Sequence, residues 1–260
     1  MSKIKYDGYE LEYFDSAYNF RKYQLKLIKK YLKGDLAEVG PGKGEFVNYY
    51  IKLLKSVMLI EPDKNLFNNL KRKHKNKKIK IINTTINKVK KKFNSVMYFD
   101  VLEHIKDDLN EIKNAKKKCK KNGYLIFSVP AYQTFYNEFD KSVGHFKRYN
   151  KKDFKKLSIK ANLKIEKLIY YDSFGLLLLI LNKIFNFSKK NLKSKISFWN
   201  FFIPLSRLID FVTFNNFGSG SEYPPIPKLN KSRFFLLASF NNNTPQTLYF
   251  LLKRPAVTGL

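Results

Sequence analysis

The chain has 260 residues, enough for one α/β domain with a full core and an appended lobe, and its single cysteine, Cys119, excludes both an internal disulfide framework and a cysteine-rich zinc site. Its 51 basic and 21 acidic residues leave a net charge of +30. That sum points toward nucleic acid or an anionic membrane, but the lysines are spread through nearly every segment among Asn, Ile and Phe. Runs such as Lys116-Lys117-Lys118 therefore read as solvated surface rather than as an RNA-binding patch, which calls for clustered arginine and exposed stacking aromatics.

In chain order, residues 1–16 show no period and read as an arm or lid; no apolar run follows their charges, so no secretory signal is expected and the cytoplasm is the expected compartment. Leu25, Ile28 and Leu32 recur at helical spacing across 17–32, with Gly34 placed to end that helix. A first strand, Leu36 to Val39, runs into glycines at alternating positions, Gly40, Gly42 and Gly44. A helix follows, with Val47, Tyr50, Ile51 and Leu54 on one stripe. The run Val57 to Ile60 has the continuous apolar character of a strand covered on both faces and ends at Glu61-Pro62-Asp63.

A helix through Leu66, Phe67 and Leu70 leads to a third strand, Ile79 to Ile82, and Ser95 to Phe99 forms a fourth. Leu109, Ile112 and Ala115 mark the next helix, with Cys119 as a small core residue at the same spacing. Asn122-Gly123 is the expected turn before a fifth strand, Tyr124 to Val129. The stretch 131–150 reads as a functional loop. Asn150 is placed to cap a helix carrying Phe154, Leu157 and Ala161, and 165–171 is a sixth strand. Apolar segments 174–187 and 198–214 are expected helices of an insertion. For the last strand, 234–240 and 247–252 both qualify. The longest apolar run, Leu176 to Leu181, falls well short of the roughly 20 residues needed to span a bilayer.

Strands alternating with helices imply a parallel sheet with right-handed crossovers and a ligand site at the strands' carboxyl ends. The strand-to-helix corner at Gly40 to Gly44 presents backbone N–H groups and a helix dipole to a polar ligand. A dinucleotide fingerprint needs its third glycine one residue later, where Glu45 stands. Glu61, 21 residues after Gly40, is where a carboxylate accepts hydrogen bonds from a ribose diol.

Glu38-x-Gly40-x-Gly42-x-Gly44 followed by Glu61 resembles the class I S-adenosylmethionine-dependent methyltransferases, and Tyr98 to Ile105 resembles that family's fourth motif. Gly144-His145-Phe146-Lys147-Arg148-Tyr149 is similar to a Gly-His-x-Arg-Arg-Tyr loop of a bacterial subgroup often associated with glycan biosynthesis, with lysine at the first arginine. The likeness covers residues 30–172 and is lost after about Gly218. It implies an α/β, Rossmann-like, seven-stranded, mainly parallel sheet with helices on both faces and a helical insertion before the last strand. The core with its N-terminal arm is 1–171, the apolar insertion or cap 172–233, and the last strands 234–260.

The implied cofactor is S-adenosyl-L-methionine, held by Glu38, Gly40, Gly42, Gly44, Glu61, Asn83, Thr84, Phe99, Asp100 and His104. Asn83 and Thr84 stand where the family usually has an acidic residue for the adenine. On the acceptor side His145 is the candidate base, Arg148 the candidate anion clamp and Tyr149 the orienting group. Glu103 and His104 serve either the site or the turn. The chain has no Asn/Asp-Pro-Pro-Tyr after strand four, which argues against a nucleic-acid base as acceptor, and no His/Cys/Asp cluster at metal-ligand spacing along the chain, so no metal is expected. The acceptor is expected to be a small or lipid-linked molecule, glycan or quinone-like, methylated on oxygen. The apolar insertion suggests peripheral membrane contact, a lipid grip, or a buried cap or dimer interface. An RNA-binding protein or RNA methyltransferase, and a non-catalytic membrane scaffold, are the alternatives.

Overall fold

Residues 17–185, 192–217 and 248–253 are described by a computed structural model of the chain. The apolar runs become strands β1 (Asp35–Val39), β2 (Ser56–Ile60), β3 (Ile79–Ile82), β4 (Phe93–Phe99) and β5 (Cys119–Val129), all paired in parallel. β6 (Lys164–Tyr170) joins through β7 (Leu248–Lys253), which runs antiparallel to both of its neighbours, giving the order β3-β2-β1-β4-β5-β7-β6. Successive strands proceed outward from β1 to β3 and then restart on β1's other side at β4. That reversal opens a crevice at the carboxyl ends of β1 and β4, where open α/β sheets bind ligands.

Helices cover both faces. One layer holds α4 (Asp108–Lys118) and α6 (Lys151–Lys160), whose Ile112, Ala115, Phe154 and Leu157 pack under Val96, Tyr98, Leu125 and Phe127. The other holds α1 (Tyr18–Ile28), the short α2 (Val47–Tyr50) and α3 (Lys64–Lys73), packed on Leu36, Val57, Leu59 and Met97. α2 is a single turn followed by a 3-10 turn at Ile51–Leu53, yet Val47, Tyr50, Ile51 and Leu54 are all buried. Tertiary burial, not helical propensity, holds this segment. Asn150 caps its helix as expected, in a box with Asp153, and Asp63 caps α3 by accepting the Leu66 N–H at 2.8 Å.

Two expectations change. Asn122-Gly123 is not a turn between elements but an irregularity inside β5, where the pairing shifts register between Phe93 and Ser95 and Asn122 has φ +61°. A Cβ on Gly123 would stand 2.6 Å from Cys119 Sγ and 2.7 Å from the Asn94 carbonyl, so close strand packing is what demands the glycine. Cys119 is buried against Ile112 and Ala115, but from the first position of β5 rather than from the helix.

The insertion comprises α7 (Ser173–Phe185), α8 (Leu192–Phe201) and α9 (Ile203–Phe217). It is latched to α1 by two buried carboxylates. Asp172 accepts from Trp199 Nε1 at 2.7 Å and Ser206 Oγ at 2.7 Å, while Asp210 accepts from Tyr23 Oη at 2.7 Å and the Asp172 N–H at 2.6 Å. Trp199 packs on Phe20 with ring centroids 4.5 Å apart. The inner face is thus a buried cap. The outer face of α8 and α9 leaves Phe198, Phe201, Leu205, Leu208, Phe211 and Val212 exposed. Of the candidate last strands, 248–253 forms β7; 234–240 and the N-terminal arm 1–16 lie outside the described residues.

Candidate active site

The glycine corner and the carboxylate beyond β2 meet. Gly40, Gly42 and Gly44 have φ of +64°, +56° and +72°, a region that favours glycine. At Gly40 a Cβ would also lie 2.7 Å from Val101 Cγ2, so the chain from β1 passes tightly over the turn after β4. The Gly40 N–H donates to the Ile60 carbonyl at 2.9 Å, pinning the corner to the end of β2. From there the buried Glu61 carboxylate accepts the Gly42 N–H and, at 2.9 Å, the Asp63 N–H. Burial pushes its pKa up to about 7, with the Asp63 charge adding to the rise and the two backbone donors opposing it. A carboxylate whose described partners are backbone amides, at a strand end beside a glycine corner, has acceptor capacity left for ligand hydroxyls.

Glu38 points into the protein instead. Its buried carboxyl accepts from the Tyr50 hydroxyl, and burial raises its pKa to about 7 against the pull of Tyr50 and Arg21. Asn83 donates to the carbonyls of Glu61 at 2.8 Å and Pro62 at 3.0 Å, so it braces the Glu61 turn. Thr84 lies next to it and lines a groove of about 540 Å3 that runs back toward the amino ends of β2 and β3 among Lys77, Lys78, Lys80, Lys88, Lys90 and Lys91. Across the crevice Phe99 packs on Phe46 at 4.7 Å, and Asp100 takes a left-handed turn, φ +55°, its N–H bonded to the Ser128 carbonyl at 2.8 Å.

The loop after β5 carries a short helix, α5 (Glu138–Ser142), capped by Asn137 and Asp140 in a reciprocal box. Asp140 is its hub. Burial alone would raise this carboxyl, but His145 and Arg148 together pull it below its ordinary value. His145 Nδ1 lies 2.9 Å from Asp140 Oδ1, and Arg148 grips both oxygens at 2.8 to 3.0 Å. Against the expectation of Arg148 as an acceptor clamp, its Nε and Nη2 are held in a buried intramolecular ion pair, while its buried Nη1 has no hydrogen-bond partner among the described residues. Tyr149 is corrected likewise. It is fully buried on Phe154, its hydroxyl bonded to the Leu102 carbonyl at 3.2 Å and to Asp108 at 3.1 Å, and it orients the loop rather than a ligand.

His145 itself faces His104, with ring centroids 4.6 Å apart and planes at 78°. Burial, then the neighbouring His145, lowers the His104 pKa to about 3, opposed by a bond to the Gly144 carbonyl. Glu103, expected to serve either the site or the turn, is fully buried and accepts no hydrogen bond from another described residue; burial first, then Asp100 and Asp140, hold its carboxyl well above the usual carboxylate range. Its only sequence signal was a carboxylate next to a histidine at a strand end. Although the chain shows no metal spacing, folding brings ligand atoms of Glu103, His104 and His145 within 4.8 Å of one another.

A sheet with this reversal, a glycine corner and a buried carboxylate at the next strand end together give the frame of an α/β enzyme site. The family described as "Methyltransferase domain" matches residues 16–168, more than half of the chain, and the protein belongs to it. S-adenosylmethionine is the methyl donor that this domain implies, and Glu61 beside the glycine corner fits an adenosine. No curated protein matches the sequence significantly. Among solved structures the fold is similar to the methyltransferase in complex with the Trm112 activator from Haloferax volcanii (TM-score 0.61, 11% identity, 96% of this chain and 95% of that one). It is similar as well to phosphoethanolamine N-methyltransferase 2 of Haemonchus contortus with S-adenosyl-L-methionine (0.58, 13%, 96% of this chain and 58% of that one). A third is the N-methyltransferase NodS of Bradyrhizobium japonicum with S-adenosyl-L-homocysteine (0.52, 12%, 93% and 89%).

Proposed function

We propose that this methyltransferase transfers a methyl group to an oxygen of a small or lipid-linked acceptor, glycan or quinone-like, and that it belongs to the bacterial subgroup with the Gly-His-x-Arg-Arg-Tyr-like loop. The proposed enzyme has the seven-stranded sheet with its helical insertion and works in the cytoplasm, peripheral to a membrane. The observation that carries the reading is the pinning of the glycine corner to the end of β2 beside the buried Glu61, through the Gly40 N–H to the Ile60 carbonyl at 2.9 Å, which brings together the two halves of the proposed adenosine grip. The donor, when bound, supplies a sulfonium-activated methyl group. Glu61 accepts the ribose hydroxyls, the Gly40 to Gly44 backbone approaches the donor's polar half, and Phe99 and Asp100 border its reactive end. Asn83 and Thr84 flank the adenine end, Asn83 by holding the Glu61 turn.

Displacement at a methyl carbon needs chiefly alignment, with the nucleophile within about 3–3.5 Å. The group assigned to the acceptor side is His145, its Nδ1 held by Asp140 and its loop braced by Arg148 and Tyr149. Support for a membrane-borne acceptor comes from the exposed apolar stripe on α8 and α9 combined with the net charge of +30, which complements an anionic bilayer. No helix of the described residues is long and apolar enough to cross a membrane.

A methyl-transfer screen with labelled donor tests this. Its arms are free glycans, polyprenyl-linked glycans, quinone-like phenols and, because two similar folds belong to N-methyltransferases, amines. Turnover of a hydroxyl acceptor that drops at least about 100-fold in His145→Ala is the expected result. Labelling of amines alone, or full activity of His145→Ala, overturns the oxygen reading or the placement of His145.

A further inference from the structure

We propose that Glu103, His104 and His145 bind a divalent first-row transition-metal ion. The three come from two places 41 positions apart in the chain, and folding sets their ligand atoms within 4.8 Å of one another. Donors at about 2.0–2.2 Å from a tetrahedral ion stand roughly 3.3 Å apart, so small side-chain rotations close the set. Two imidazoles with one carboxylate suit zinc, cobalt, manganese or iron rather than magnesium or calcium, which prefer oxygen donors.

Three further observations support a ligand set over a chance cluster. First, Glu103 is fully buried, its relative exposure 0%, and among the described residues no other residue donates a hydrogen bond to either oxygen. A buried carboxyl that no described neighbour donates to is costly, and a cation is a partner that such a group can take. Second, both histidines are oriented from behind. His145 Nδ1 meets Asp140 at 2.9 Å, and the His104 ring bonds the Gly144 carbonyl. A carboxylate and a carbonyl behind two imidazoles is the arrangement that fixes metal-binding tautomers. Third, a backbone bond joins the two segments and two more bonds fix the loop that carries His145. The Phe146 N–H donates to the Glu103 carbonyl at 2.8 Å, the His145 N–H to the Asp140 carbonyl at 2.8 Å, and the Tyr136 hydroxyl to the His145 carbonyl at 2.7 Å.

Electrostatics agrees. Asp100, Asp140 and Glu103 form an acidic neighbourhood in which Arg148 is the counter-charge, and Arg148 is engaged by Asp140. A dication that displaces the Glu103 proton compensates the carboxylate it exposes. The site borders the end of β4, so a bound ion would act as a Lewis acid on an acceptor hydroxyl and lower its pKa. In that role His145 is a ligand, not the general base. The role rests on the proposed methyl transfer, whereas the site itself does not.

The test uses the full chain stripped with a chelator and titrated with Zn2+ and Co2+, with Mg2+ as contrast, in the absence of methyl donor. One Zn2+ or Co2+ per chain is expected, with Co2+ giving visible ligand-field bands and Mg2+ binding far more weakly. Glu103→Gln conserves shape and breaks no hydrogen bond to another described residue, so it should stay folded while binding Zn2+ at least about 100-fold more weakly. His74→Gln, which alters the chain's one remaining histidine, should leave affinity unchanged. In the wild type, the imidazole nitrogen resonances of His104 and His145 should move on Zn2+ addition while those of His74 stay, a readout that needs no variant. Substoichiometric binding, equal binding by Glu103→Gln, or movement of His74 instead overturns the proposal. Donor binding measured separately by calorimetry keeps the two readings apart: metal without donor refutes the methyl-transfer role, and donor without metal refutes the site.

Discussion

Replacing Glu61 by Gln gives two opposite effects that only a buried ligand-binding carboxylate would produce together. The Glu61 pKa is raised from 4.5 to about 7 in the folded protein. At about 1.4 kcal/mol per pH unit that rise is worth about 3 kcal/mol. The folded state binds more protons than the unfolded state between these two values, so stability falls as pH rises from about 4.5 to about 7 and the full penalty stands above 7. Gln cannot ionise. Relative to the wild type, Glu61→Gln should therefore gain about 3 kcal/mol on going from pH 4.5 to pH 8, whatever constant offset its altered bonds introduce. Glu38 contributes a slope in the same direction to both proteins and drops out of the difference.

For a chain of this size, about 3 kcal/mol moves the melting temperature by roughly 6–12 °C between the two pH values. Thermal melts of both proteins from pH 4.5 to 8 read it directly. Donor affinity should move the other way. Hydrogen bonds to a charged group are worth about 1.5–3 kcal/mol, so calorimetry at pH 8 should find S-adenosylmethionine bound about 10- to 100-fold more weakly by the variant. A melting difference that stays flat with pH, or an affinity within about threefold of wild type, refutes the reasoning.

Other substitutions separate structure from chemistry. Gly40→Ala forces a side chain onto φ +64° and into Val101, and should cost about 1–3 kcal/mol in urea unfolding. Tyr149→Phe loses two buried hydrogen bonds and should cost about 1–2 kcal/mol of stability with KM for the acceptor unchanged, because the hydroxyl serves the loop. Asp210→Ala strands the Tyr23 hydroxyl and the Asp172 and Ser173 amides, and should release the insertion from α1 at about 2–4 kcal/mol, seen as faster proteolysis within α8 and α9.

What could be read from the sequence was local. The glycine corner, the strand ends and Glu61 each declare themselves within a few residues, because a strand-to-helix turn needs glycine and a ribose needs a carboxylate one strand later. Asn150 announced its helix in the same way. Burial is decided elsewhere in the chain, and there the reading failed. Arg148 looks like an exposed anion clamp until Asp140, eight positions earlier, takes its Nε and Nη2 in a buried ion pair. Tyr149 looks free until Phe154 and Asp108 enclose it. Asn122-Gly123 has the composition of a turn, yet crowding from Cys119 and Asn94 makes it part of a strand. The Asp172 and Asp210 latch joins α1, α7, α8 and α9, and the grouping of Glu103 and His104 with His145 depends on one loop folding back over another. No spacing rule along the chain anticipates either.

Calorimetric titration of S-adenosylmethionine and its demethylated product into the wild type and Gly42→Val tests the adenosine grip most directly. Both ligands should bind the wild type at one site per chain, and Gly42→Val, still melting cooperatively, should lose at least about 100-fold in affinity, because a side chain there displaces the amide that meets Glu61. No binding by the wild type, or equal binding by the variant, would contradict it.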